Sequence, residues 1–210
     1  MSHRGRAAHP DHLDWHVHLD EPIEDLAAHL AAVLRGRVAL VGVGNDLCGD
    51  DGAGLAVATA LKAALDARAQ PPPGDGPVAS DSPQPALSLS VFCAGGVPEN
   101  YLMKIAKARP DVVVLVDATD FAGDMPAGTI ALAASARVAG MGPSTHGPAP
   151  LAFLDLLGQI HPCTRLLLGI QPVQTQVGSP LSPPVAAAAD RLVQAVLKVV
   201  ECATSGSSGC

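Results

Sequence analysis

The stretch "VALVGVGNDLCGDDGAGLAVATAL", residues 38–61, decides the fold class. It begins with a continuous apolar run, turns through a polar, glycine-rich loop, and continues into a segment whose apolar residues recur at helical spacing. A strand that is apolar on both faces is typical of a parallel sheet covered by helices. The loop carries two adjacent carboxylates, Asp50 and Asp51, at the place where a nucleotide-binding loop would hold phosphates. The loop therefore raises the question of which ligand these acids would serve.

The rest of the chain continues this alternation of strands and helices. Strands are predicted at 37–44, 86–93, 111–120, 127–133 and 164–172, and helices at 23–36, 53–68, within 94–110, at 148–160 and at 182–201. Ser182 is predicted to be an N-cap, before Pro183 at the first helical position. Short connections between alternating elements predict a single α/β domain with a mainly parallel sheet of about five strands and helices on both faces, which makes three layers.

Three segments have the composition of poorly ordered chain. Residues 1–22 are polar and rich in histidine, residues 67–86 are dense in Pro, Gly and Ser, and residues 203–210 are rich in Gly and Ser. We predict a flexible tail at each end and an insertion at about 67–86. The α/β domain is then expected to occupy residues 23–202.

Composition excludes several classes of partner. The formal net charge is −7 with only 13 Lys and Arg, so a nucleic-acid partner is not expected. The first residues lack the apolar run of a secretory signal, and no apolar stretch is long enough to cross a bilayer.

The five cysteines form no C-x-x-C pair, which predicts free thiols in a reducing compartment. We expect a cytoplasmic protein without a membrane partner.

A dinucleotide site is the first alternative for the glycine-rich loop. The Rossmann pattern G-x-G-x-x-G needs three glycines so that the backbone can approach a pyrophosphate. Gly42 and Gly44 fit that pattern, but Leu47 occupies the third position and the two carboxylates would repel phosphates. The P-loop pattern is also absent, and we therefore expect no nucleotide cofactor.

Asp51, Asp117 and His146 are the candidate site residues. Asp51 stands at the start of a helix, and Asp117 ends a buried strand, where parallel sheets place their ligand crevice. His146 lies in a Gly- and Pro-flanked loop. Each has an ordinary alternative, namely an N-cap, a turn-forming Asp and a solvated surface His. Brought together, two carboxylates and one imidazole would make an open site for a divalent transition metal.

Two other constellations carry weaker signals. His16 and His18 form an H-x-H pair, but no barrel strand surrounds it, so a solvated tail is the better interpretation. Cys48 could act as a nucleophile with His146. Neighbouring anions disfavour a thiolate, and we predict that Cys48 is a spectator.

Five motifs in register carry a family resemblance: "GVGNDLCGDDGAG", "AGGVPEN", "LVDATD", "STH" and "LLLGIQP". Together they resemble the maturation endopeptidases of [NiFe] hydrogenases, most of all the type that processes the large subunit of hydrogenase 3. The resemblance extends over about residues 37–201. It implies one α/β domain with a twisted sheet of about five strands between helices.

The resemblance also implies an activity. Members of this family cut a C-terminal extension from the large-subunit precursor after nickel insertion, so the expected partner is that precursor and the nickel is carried by it. The resemblance implies that Asp51, Asp117 and His146 contact the metal. From ligand chemistry we further hypothesise an aspartyl-type, metal-dependent hydrolysis in which Asp51 and Asp117 are catalytic, one carboxylate acting as general base for water. We expect a monomer, because a large precursor must reach the crevice. A chaperone or checkpoint protein that binds nickel or precursor without cutting stays open as an alternative.

Overall fold

The computed structural model describes residues 15–18, 20–69, 87–121, 125–134 and 149–205. His146, most of the predicted N-terminal tail and most of the predicted insertion lie outside these ranges. The predictions for them are therefore untested by the structure.

The described residues form a six-stranded sheet between helices, which confirms the predicted α/β fold. The strand order is β1-β5-β6-β4-β2-β3, in which β3, β2, β4 and β6 are parallel while β5 and β1 add antiparallel pairs. The strands are β1 (Trp15–Val17), β2 (Gly36–Val43), β3 (Leu87–Gly95), β4 (Val112–Ala118), β5 (Ile130–Ala134) and β6 (Thr164–Ile170). The helices are α1 (Ile23–Val33), α2 (Ala53–Ala69), α3 (Leu102–Lys107), α4 (Ala149–Ile160) and α5 (Pro183–Ser205).

Strand β1 corrects the predicted boundary of the N-terminal tail. It lies within residues 1–22, yet it pairs antiparallel with β5 and buries Val17 in the core. A three-residue strand is too short to show the alternation of apolar and polar residues that predicts a strand. Its stability also depends on a partner strand far along the chain, which no local pattern reveals. At the other end, α5 continues to Ser205, beyond the predicted domain limit at 202.

The central strands are buried on both faces, as their unbroken apolar sequences predicted. In β4, Val112, Val114 and Val116 face the layer formed by α1, α2 and α5, whereas Val113 and Leu115 face α3 and α4. This alternation is the period of two of a pleated strand. Because β2 and β4 are parallel neighbours, both end at the same edge of the sheet, here called the carboxyl edge.

The structure bears on two predictions made from composition. Cys48, Cys93 and Cys163 are free thiols, but Cys202 is disulfide-bonded, so the prediction of free thiols is wrong for that residue. The number and spacing of cysteines do not reveal which two side chains meet in space. Separately, the described helices include none with the length and apolar character needed to cross a membrane.

Candidate functional site

A cavity of about 660 Å³ opens at the carboxyl edge of the sheet. It lies where loops leave β2, β3 and β6, which is where parallel α/β sheets place their ligand crevice. Its lining residues are mostly small or polar: Gly44, Asn45, Asp46, Cys48, Asp51, Leu55, Gly95, Gly96 and Thr175.

Glycines shape the turn from β2 to α2 for steric reasons. Gly44 has φ +128°, and a Cβ at this position would lie 1.9 Å from the carbonyl oxygen of Asp51. Gly54 brings α2 against the sheet so closely that a Cβ there would lie 2.0 Å from the carbonyl oxygen of Val116. The glycine-rich pattern therefore serves tight helix-to-strand packing, and this packing brings Asp51 close to the ends of the strands.

Asp50 is fully buried and connects the first loop to the loop that follows β6. Its Oδ1 accepts a hydrogen bond from the Ser182 N–H (2.6 Å). Its Oδ2 accepts bonds from Ser182 Oγ (2.9 Å) and from the N–H groups of Val173 (2.9 Å) and Gln174 (3.0 Å). Burial alone would raise the pKa of Asp50, but these hydrogen bonds together hold it below its ordinary value. Asp50 is thus a structural carboxylate.

Backbone hydrogen bonds join the same two loops. Gly178 N–H donates to the carbonyl of Leu47 (2.7 Å), and Gly49 N–H donates to the carbonyl of Ser179 (3.1 Å). The N–H of Asp50 also donates to the carbonyl of Gln174 (2.9 Å). The predicted cap residue Ser182 directs its hydroxyl to Asp50, so it anchors the start of α5 to the first loop.

Asp51, the second acid of the pair, lines the cavity although only 6% of its surface is exposed. Its Oδ2 accepts a hydrogen bond from the Asn45 N–H at 3.0 Å. This bond fixes the orientation of the carboxylate with respect to the loop. Two adjacent aspartates thus have different environments: Asp50 holds loops together, and Asp51 contributes to the cavity wall.

Asp117 lies near the carboxyl end of β4 and has no exposed surface. Its strand is the parallel neighbour of β2, and the 3-10 turn Gly49–Gly52 that contains Asp51 contacts β4. The structure therefore brings Asp51 and Asp117 to the same edge of the sheet. Asp117 is not among the residues that line the cavity, and the pleat alternation turns it towards the layer of α3 and α4.

Sequence reasoning missed two residues that organise this edge. Asn45 accepts a bond from the Leu47 N–H at its Oδ1 (3.1 Å), and its Nδ2 donates to Cys48 Sγ (3.2 Å). Gln171 accepts a bond from the Phe121 N–H at its Oε1 (2.9 Å), and its Nε2 donates to Asp120 Oδ1 (3.0 Å). Both lie within the motifs "GVGNDLCGDDGAG" and "LLLGIQP". Asn45 bonds within its own loop, whereas Gln171 joins the loops that follow β4 and β6, which only the fold shows.

The remaining candidates occupy different places. Cys48 lines the cavity beside Asp51, so it lies in the site although it was predicted to be a spectator. His16 and His18 lie on and beside β1, at the opposite edge of the sheet from β3. Across the ranges that the structure describes, no group of three or more His, Cys, Asp or Glu side chains is arranged to hold a metal ion. This finding does not test the predicted set of Asp51, Asp117 and His146, because His146 lies outside those ranges.

The fold and the cavity define a three-layer α/β protein with an acidic site at the carboxyl edge of its sheet. The HycI family model, described as "Hydrogenase maturation protease", matches residues 80–199. The chain belongs to this family, which confirms the resemblance seen in its motifs. It is therefore a protease of hydrogenase maturation.

Solved structures agree with this assignment. The [NiFe] hydrogenase maturation protease HycI from Thermococcus kodakarensis KOD1 shares 28% identity and superposes with a TM-score of 0.65, with 82% of this chain and 98% of that chain covered. A hydrogenase 3 maturation protease shares 27% identity at a TM-score of 0.55, covering 78% and 89%. The E. coli endopeptidase HybD, at 20% identity and 0.55, covering 81% and 94%, has the same fold. No curated protein matches the sequence.

Proposed function

We propose that this chain removes the C-terminal extension of a nickel-loaded [NiFe]-hydrogenase large-subunit precursor, and that Asp51, Asp117 and His146 contact the nickel of that precursor. One observation carries the proposal. The Asp51 carboxylate, oriented by the Asn45 N–H, lines a cavity at the sheet edge where β4 brings Asp117. Family membership supplies the type of reaction.

The donor set suits the proposed cargo. Carboxylate oxygens and an imidazole nitrogen are ligands that divalent transition metals accept, and a metal already held by thiolates of the precursor can take further ligands at open positions. Contact with nickel would then position the precursor with its scissile bond at the cavity. Metal recognition becomes the step that admits loaded precursor and rejects empty precursor.

Hydrolysis needs a group that takes a proton from water. A carboxylate of the site serves as general base, and Asp51 is the one that lines the cavity. The water oxygen bonds to the scissile carbonyl carbon, the C–N bond breaks, and the leaving amine takes up a proton. The products are the mature subunit with a new carboxyl terminus and the released C-terminal peptide.

The experiment measures peptide release by mass. The purified chain is incubated with nickel-loaded precursor and, in parallel, with the same precursor free of nickel. We expect release only from the loaded precursor, and release at least about 10²-fold slower with Asp51→Asn, Asp117→Asn or His146→Ala. Asp66→Asn, on the exposed part of α2, is the matched control and should process normally. Full processing by Asp51→Asn would refute the site, and binding of loaded precursor without any mass loss would indicate a checkpoint protein.

A further inference from the structure

Large apolar side chains are exposed on the loops that line the cavity. The described residues include seven exposed large hydrophobic side chains, and four of them lie on loops that line the cavity. These four are here called the apolar rim: Leu47 (67% exposed), Val97 (52%), Val173 (63%) and Val177 (77%).

Each rim residue is adjacent in sequence to the cavity wall or close to it. Leu47 stands between the lining residues Asp46 and Cys48, and Val97 directly follows the lining residue Gly96. Val173 and Val177 stand on either side of the lining residue Thr175. The Gly178 N–H donates to the Leu47 carbonyl at 2.7 Å, so the loops of Leu47 and Val177 touch.

The rim stands on loops that the fold already holds in place. The buried Asp50 carboxylate binds the N–H groups of Val173 and Gln174, and its own N–H binds the Gln174 carbonyl. Apolar groups on a preorganised surface can be buried by a partner with little loss of conformational entropy. Clustered exposed apolar residues are a mark of protein interaction sites.

The charge of the cavity indicates what kind of surface would fit. Among the described residues, its wall includes the carboxylates Asp46 and Asp51 and no Lys or Arg. A complementary surface is therefore apolar at its periphery and cationic at its centre.

We propose that the apolar rim is the docking surface for a folded protein partner that presents a metal cation within an apolar surround. This inference rests on the proposed function, in which that partner is the nickel-loaded precursor. The rim binds the protein around the metal, whereas Asp51 acts at its centre. Rim contacts made equally before and during the reaction lower KM without changing kcat.

The chain offers a matched pair of variants. Leu47→Ser combined with Val177→Ser removes two rim residues. Leu156→Ser combined with Ile160→Ser removes two exposed apolar residues of α4, at 42% and 43% exposure, outside the rim. With nickel-loaded precursor, we expect the rim variant to raise KM about tenfold and to leave kcat within about twofold. The α4 variant should match the wild type, and both variants should keep the wild-type Tm.

Three outcomes would overturn the proposal. Equal KM values for the rim and α4 variants would show that the rim does not dock the precursor. A fall in kcat at unchanged KM would assign the rim to the chemical step. A wild-type dimer that the rim variant dissociates, with KM unchanged, would make the rim a self-association surface.

Failure of the proposed function would be separable from failure of the rim. If the wild type releases no peptide, the proposed cleavage is refuted. The rim is then tested by the Kd of loaded precursor for the wild type and the rim variant. A Kd about tenfold weaker for the rim variant would support docking, and an equal Kd would refute it.

Discussion

The two ends of the parallel strands differ in how deeply they bury their carboxylates. At the amino edge, Asp111 is half exposed and pairs with the Arg37 side chain through Oδ1 to Nη2 (2.9 Å) and Oδ2 to Nε (3.1 Å). Its Oδ2 also accepts a bond from the Arg37 backbone N–H (2.8 Å). At the carboxyl edge, Asp50, Asp51 and Asp117 are buried, and the first two accept backbone N–H bonds. A half-exposed carboxylate is still solvated by water, whereas a buried carboxylate needs donors that the fold has already positioned. The carboxyl edge therefore depends on the folded chain for most of its solvation, whereas the amino edge also has water.

The carboxyl edge contains a second contrast, between the adjacent residues Asp50 and Asp51. Asp50 is bonded on both oxygens by groups from the β6–α5 loop and the start of α5, and Asp51 faces a cavity. Replacing the first should cost stability, and replacing the second should cost activity.

The largest expected effect is on the activity of Asp51→Asn. Loss of the proposed general base should lower kcat for nickel-loaded precursor by about 10²- to 10⁴-fold. The amide has nearly the same shape, so Tm should stay close to that of the wild type. Peptide release by mass spectrometry and thermal unfolding measure the two quantities. A large fall in Tm would show that Asp51 is a structural residue like Asp50.

Asp50→Ala should mainly reduce stability. It leaves the buried N–H groups of Ser182, Val173 and Gln174 without their acceptor, and we expect a loss of about 2–4 kcal/mol in the free energy of unfolding. Denaturant unfolding measures it, with Asp66→Asn as an exposed control that should change by less than about 0.5 kcal/mol. A loss for Asp50→Ala as small as that of the control would contradict the structural role.

Gly44→Ala tests the turn that positions Asp51. Its φ of +128° disfavours any side chain, and the new Cβ would lie 1.9 Å from the Asp51 carbonyl oxygen. We expect a loss of about 1–3 kcal/mol in the free energy of unfolding. Gly96→Ala is the matched control, because Gly96 also lines the cavity but a Cβ there meets nothing within 4 Å. Equal Tm values for the two variants would contradict this prediction, because the backbone of the turn would then accommodate the added Cβ without loss of stability.

The smallest effect is expected at the amino edge. Arg37 lowers the pKa of Asp111 to about 2, below its ordinary value near 4. A depressed folded-state pKa contributes stability that is fully present above about pH 4 and is lost as the pH falls towards 2. The Tm difference between wild type and Arg37→Ala should therefore be small at pH 6 and should shrink between pH 4 and pH 2. A difference that grows on acidification would contradict this interpretation.

The order of strands and helices could be predicted because their signals are local. The apolar run in β4 and the helical spacing in α2 are each contained within one element, and the structure has both where they were predicted. Strand β1 was missed because its three residues become a strand only by pairing with β5. The position of the candidate site could be predicted in part, because the carboxyl ends of parallel strands always lie at one edge of the sheet.

The amino-acid sequence alone determined the α/β alternation, the acidic loop after β2, and the motifs that place the chain among hydrogenase maturation proteases. These features depend on neighbours along the chain. The folded chain was needed to show which of the two adjacent aspartates is structural, because the donors that bind Asp50 lie 123–132 residues away. The folded chain was also needed to find the apolar rim, because its members come from three loops that are far apart in the sequence. No local pattern can show that a side chain will meet partners so distant, because folding alone brings them into hydrogen-bonding range.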